Sequence, residues 1–189
     1  VLIQSAAKAF VDGYTNEVVS VMSAALERTY EFYIRVSCRA KGISSEALEG
    51  AWKAVSSQSE RQFGAFLFLY LIDHGQSFKL DKTITKTRNS VIHKGRIARE
   101  SEAINFAENV FKHVRSIENS INSKFPKYAE EESAHEVETQ KALVPTETLS
   151  IILKKQTVRV DTTKNEVIGV ANTFLDMAGA VRHSRSRGL

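Results

Sequence analysis

Proline is almost missing from this chain. Pro126 and Pro145 are its two copies, and both come late. The first 125 residues therefore lack the one ring that removes a backbone donor and breaks a helix, which suits a mostly helical domain. Cysteine occurs once, as Cys38. It can form no disulfide within the chain, and its solitary use fits a reducing compartment. The five histidines, at 74, 93, 113, 135 and 183, are nowhere three to five residues apart, and no thiolate pair joins them. The spacing of a structural zinc site is thus missing, and the pattern calls for no metal or cofactor. No apolar run approaches the roughly 18 residues of a membrane span. The longest candidate, Phe63 to Ile72, reads as a buried helix. No charged segment leads into an apolar one at the start, so no secretory signal is expected and the reading is cytoplasmic. The chain opens on Val1 rather than methionine, which leaves a preceding sensor domain open.

The composition that is present is ordinary for a soluble globular protein, with 42% hydrophobic and 25% charged residues. A length of 189 residues allows one domain with a real core and an appendage. The net charge of +4 permits an anionic partner and equally permits a solvated basic surface.

Periodicity gives the architecture. From Tyr14 to Lys41, apolar residues recur at three- and four-residue steps, among them Val18, Met22, Leu26, Tyr33 and Val36, and predict one long helix stopped by Gly42. A shorter helix is expected over Ser45 to Val55. A third, over about Glu60 to Asp73, is apolar nearly all round, which predicts a central place in a bundle. Asp81 is a helix cap for a fourth running to about Lys94 and ended by Gly95, and Ser101 is a cap for a fifth. The expectation is an all-α antiparallel bundle of four to five helices over residues 1–125. Residues 126–189 read as an acidic segment, helix or linker, and a C-terminal extension. In that extension Leu149 to Leu153 and Thr157 to Val160 carry strand-like signals, Glu166 to Val181 could form a helix, and the tail from Arg182 is basic and flexible.

The stretch TRNSVIHKGR, Thr87 to Arg96, concentrates chemistry. On an α-helix, Asn89 and His93 lie one above the other. Arg88 stands about 140° away from His93, five steps of roughly 100°. His93 falls in the last turn, where the helix dipole favours a cationic side chain. Arginine offers a planar charge that matches a phosphate. A histidine beside an arginine can cleave RNA without a metal, with the 2′-hydroxyl as internal nucleophile, a reaction DNA cannot undergo. Histidine and lysine are also common at helix ends for capping reasons alone, so by themselves these ten residues read first as the polar end of a surface helix.

With its order of helices, the chain resembles the HEPN family (higher eukaryotes and prokaryotes nucleotide-binding domain). The resemblance covers about Val11 to Lys124 and rests on Arg88, Asn89 and His93, with Gly95 nearby, set between an apolar helix and a long closing helix. It implies a metal-independent endoribonuclease acting as a homodimer, with RNA as substrate and no membrane partner. Relatives act as toxins or antiviral defence effectors, which implies an antitoxin or a sensor domain as partner. Others are noncatalytic modules that bind a protein, nucleotide or RNA. A subset carries a modifiable tyrosine two residues after the histidine; here that position is Gly95. An acidic residue on an early helix often supports the family motif, which makes Glu27 and Glu31 candidates, with a solvated helix face as the alternative. Lys94, Arg96 and Arg99 are candidates for backbone phosphate contacts, or members of a solvated loop.

Overall fold

A computed structural model describes residues 2–143 and 173–186, and all regular structure among them is helical. The elements are α1 (Leu2–Val11), α2 (Thr15–Ala40), α3 (Ser45–Val55), α4 (Ser59–His74), α5 (Lys82–Arg88), a π-helical turn (Asn89–His93), α6 (Glu100–Lys124), α7 (Pro126–Leu143) and α8 (Phe174–Ser186). The all-α expectation holds, with more helices than the four or five that periodicity gave. The strand-like signals at 149–153 and 157–160 lie outside the described residues. No helix among the described residues is long and apolar enough to cross a membrane.

The two most periodic segments form the centre. α2 packs against α1, α4, α6 and α7. Its stripe of Val18, Met22, Leu26, Tyr33 and Val36 is buried, and meets Phe106, Val110, Val114, Ile117 and Ile121 of α6. The expected central place of the apolar third helix is overturned. α4 buries Phe66, Tyr70 and Asp73, while Phe68 and Ile72 stay 71% and 67% exposed. An apolar sequence on all sides says what a helix could cover, not what the neighbouring helices leave room for.

Three other elements differ from expectation. α1 is a short amphipathic helix that the long α2 stripe overshadows in the sequence; it packs on α2 and α8. α8 starts with a reciprocal cap. Thr173 Oγ accepts the Asp176 N–H at 3.0 Å, and Asp176 returns the bond to the Thr173 N–H at 3.0 Å. It then seats Phe174 edge-on against Phe10 of α1, ring centres 6.1 Å apart. The basic stretch Arg182 to Ser186, expected to be flexible, continues this helix. Finally, α6 begins at Glu100 rather than after a Ser101 cap, because Glu102 Oε2 accepts the Arg99 N–H at 3.0 Å.

Of the two readings for the acidic segment after Pro126, helix holds. α7 is tied to α2 by Glu132, which is 2% exposed and takes Arg39 through both Nη2 (2.6 Å) and Nε (3.0 Å). Removing one partner of such a pair strands the other. Glu132→Ala is expected to lower unfolding free energy by about 1–3 kcal/mol, read by urea denaturation. An unchanged midpoint would mean that α7 is held by its apolar contacts alone.

Candidate active site

The site is assembled by the start of α5 and by the turn and loop beyond its end. Asp81 Oδ1 accepts the Thr83 N–H at 2.8 Å and opens α5 as the sequence predicts. The Asp81 N–H is in turn received by His113 Nε2 of α6 at 3.2 Å, which leaves His113 Nδ1 to donate to Asn109 O at 2.8 Å. That histidine is a structural clasp. On the other side, Gly95 takes a left-handed φ of 65° that turns the chain out of the helix. The loop after it is pinned to the start of α2. Ala98 N–H donates to Asn16 Oδ1 at 2.8 Å, and Thr15 Oγ donates to Ala98 O at 2.8 Å.

Between these anchors the helix does not stay α. Residues 89–93 form a π turn, whose hydrogen bonds span five residues instead of four. A plain α-helical wheel puts Asn89 on the His93 face and Arg88 on its flank, from where the long side chain can bend back; the wider turn brings Arg88 closer round to His93. Arg88 Nη1 lies 3.5 Å from His93 Nε2 and 3.4 Å from Asn89 Oδ1. Guanidinium is donor-only, so a hydrogen bond between the two draws on the Nε2 lone pair of a neutral imidazole. π turns of this kind recur at functional sites.

The guanidinium is held from behind. Nη2 donates to Glu27 Oε1 of α2 and to Ser59 Oγ at the start of α4, each at 3.0 Å. Glu60 Oε1 stands 3.9 Å from Nη1. The Glu60 carboxyl is held below the usual carboxylate range, first by a backbone N–H bond, then by the Ser59 hydroxyl and the charges of Arg88 and His93. Arg88 is thus half-buried between three helices while His93 is exposed. The arrangement joins a fixed cation, an imidazole nitrogen and an open approach.

Of the residues predicted from sequence, Arg88, Asn89, His93 and Glu27 come together. Glu31 does not. Although one turn from Glu27, it pairs with Arg28 and with Arg35 Nε, the latter at 3.1 Å. Lys94 and Arg99 are exposed beside the turn. Arg96 is engaged, with Nε donating to Ser90 Oγ at 2.7 Å and Nη1 to Glu102 at 2.8 Å. Ser59 and Glu60 were missed. Ser59 opens a helix next to Glu60, a pair that sequence alone ties to a helix start and not to a residue 29 positions away.

Comparison with protein-family models, with curated proteins and with solved structures finds no match for this chain. The functional reading therefore rests on the site's geometry and on the motif.

Proposed function

We propose that this chain is a metal-independent endoribonuclease of the HEPN type, acting as a homodimer in a toxin or antiviral defence setting. The observation that supports it most is the π turn that sets the Arg88 guanidinium 3.5 Å from His93 Nε2 while Glu27 and Ser59 fix its far side. In this reading His93 Nε2 takes the proton of the 2′-hydroxyl. The 2′-oxygen bonds to phosphorus, the bond from phosphorus to the 5′-oxygen breaks, and the leaving oxygen takes a proton from the imidazolium of a second copy. Arg88 stabilises the charge that builds on the phosphoryl oxygens. The 3.5 Å separation is long for a hydrogen bond, as is common before substrate binds. His93 is exposed, and so are Ile92 next to it in the chain (40%) and Ile97 in the loop that follows (78%), which leaves room for a second copy over the same turn.

The test is cleavage of labelled RNA by the purified chain in EDTA. Cutting is expected to persist, to yield a 2′,3′-cyclic phosphate and a 5′-hydroxyl, and to stop at any nucleotide whose 2′-hydroxyl is replaced by hydrogen. Cleavage that ignores the 2′-deoxy substitution would sink the mechanism. The apolar outer side of α4, with Phe68, Leu71 and Ile72 exposed, supports a second reading, a noncatalytic helical module that docks a protein partner. A chain inert towards every RNA would leave that reading in place.

A further inference from the structure

Arg88 has one nitrogen left for an incoming anion. Nη2 commits both its hydrogens at 3.0 Å, to Glu27 Oε1 and Ser59 Oγ. Nε is buried. Nη1 remains, and its contacts are all long: 3.4 Å to Asn89 Oδ1, 3.5 Å to His93 Nε2 and 3.9 Å to Glu60 Oε1. Contacts of that length are weak enough for an anion to displace. A second donor stands beside Nη1. The Ser59 hydroxyl accepts from Arg88 Nη2, so its own hydrogen is free for another oxygen, and it goes to Glu60 Oε2 at 3.2 Å. Glu60's own N–H, at the start of α4, bonds the same carboxylate. A guanidinium, a hydroxyl and a backbone N–H thus converge on one anion, and that anion belongs to the chain itself. The Glu60 side chain is 77% exposed, so it can swing into water without leaving a buried gap.

We infer that Glu60 is a built-in placeholder for phosphate: its carboxylate holds the place at Arg88 that a phosphate of RNA takes, and it must leave before the RNA seats; this rests on the ribonuclease reading. The exchange is one of like for like. A phosphodiester and a carboxylate each present two anionic oxygens, and both suit a guanidinium hydrogen beside a hydroxyl. They cannot share the place. Two unit negative charges about 4 Å apart repel even in bulk water, enough to weaken binding about fivefold. In the free chain, Glu60 keeps the outward side of Arg88 paired. A strand of RNA, with further phosphates to contact Lys94 and Arg99 beside the turn, can offset that repulsion, whereas a lone phosphate ion has no second contact to offer. The placeholder therefore favours a polyanion over a small anion.

The test is binding of a fluorescent 2′-O-methyl RNA oligonucleotide to the whole chain, followed by anisotropy. That probe keeps the phosphates and has no free 2′-hydroxyl to react. Glu60→Gln preserves the size of the side chain and deletes its charge. It is expected to bind about fivefold more tightly than the wild type at low salt, with the gain shrinking as salt is raised. Glu46→Gln removes an exposed carboxylate at the far end of α3 and controls for net charge. Its gain is expected to stay below about twofold in about 0.1 M salt, where charges more than about 10 Å apart are largely screened. In cleavage of labelled RNA at limiting substrate, Glu60→Gln is expected to be faster than the wild type, whereas loss of an acid–base group would make it slower. A Glu60→Gln chain that binds no tighter than Glu46→Gln overturns the placeholder, and so does one that cuts more slowly at limiting substrate. The two readings fail separately. A chain that cuts no RNA while Glu60→Gln tightens binding overturns the ribonuclease and keeps Glu60 as the guard of an anion site. A chain that cuts RNA while Glu60→Gln and Glu46→Gln bind alike overturns the placeholder alone.

Discussion

Replacing His93 with alanine is expected to lower RNA cleavage by roughly 10²- to 10⁴-fold, the loss that attends removal of a positioned acid–base group. The fold should be indifferent. His93 is exposed and its polar contact is the long one to Arg88, so its loss should move stability by no more than about 0.5 kcal/mol, as for other surface changes. That separation makes the experiment decisive. A melting curve that overlays the wild type, together with a collapsed rate, assigns His93 to chemistry. Equal rates would return it to the role of a helix-end residue. Arg88→Lys gives the companion result. Lysine keeps the charge but loses the fork that reaches Glu27, Ser59, Asn89 and His93 at once. Cleavage should therefore fall even though the site's net charge is unchanged. If lysine served as well as arginine, the orientation of the guanidinium would be irrelevant to the reaction.

The parts of this site that the sequence revealed were those that depend on local order. The α2 stripe, the Asp81 cap and the stops at Gly42 and Gly95 all stem from spacing and from the ease with which glycine takes a left-handed φ, 73° and 65° at those two positions. Arg88 and His93 stood out because cation, amide and imidazole crowd one short stretch. What spacing did not foresee was the π turn. A wheel drawn at the α repeat leaves Arg88 on the flank of the His93 face, and the wider turn brings it closer round. Choosing between Glu27 and Glu31 was equally out of reach. They share a helix face, and it is the tertiary placement of α4 and α5 that gives one to Arg88 and leaves the other to Arg28 and Arg35. Contacts with partners far along the chain, such as Ser59 with Arg88, carry no local signal. The place of α4 failed for a similar reason. Hydrophobicity on every side identified a helix able to be buried, while α2 and α6 had already filled the centre with each other.

The second large effect is expected far from the candidate chemistry, at Asp73. This residue ends the buried side of α4 and gathers three donors from α2 and its C-terminal end. Tyr33 Oη donates to Asp73 Oδ2 at 2.9 Å, Ser37 Oγ donates to the same oxygen at 2.6 Å, and Lys41 Nζ pairs with Oδ1. The Asp73 carbonyl also receives Lys124 of α6, so three helices meet on one residue. Asp73→Ala would leave two buried hydroxyls and a partly shielded ammonium without their acceptor. Lys41 keeps some access to water, which moderates the loss. The expected cost is about 2–4 kcal/mol, a large share of the total stability of an ordinary domain. Asp73→Asn retains shape and hydrogen bonding but not charge, and should fall between. The pH dependence fixes the sign. Burial works to raise the Asp73 carboxyl, but the bonds from Lys41, Ser37 and Tyr33 together outweigh it and hold the group below its ordinary range. A depressed carboxyl adds stability above the unfolded-state value, near pH 3.9 for aspartate, and that contribution fades as pH falls through the folded-state value. The gap in unfolding free energy between wild type and Asp73→Asn should therefore be constant at neutral pH and narrow below about pH 4. A gap that stays constant through that acid range would mean that the Asp73 charge contributes nothing, and that its hydrogen bonds alone join α2 to α4.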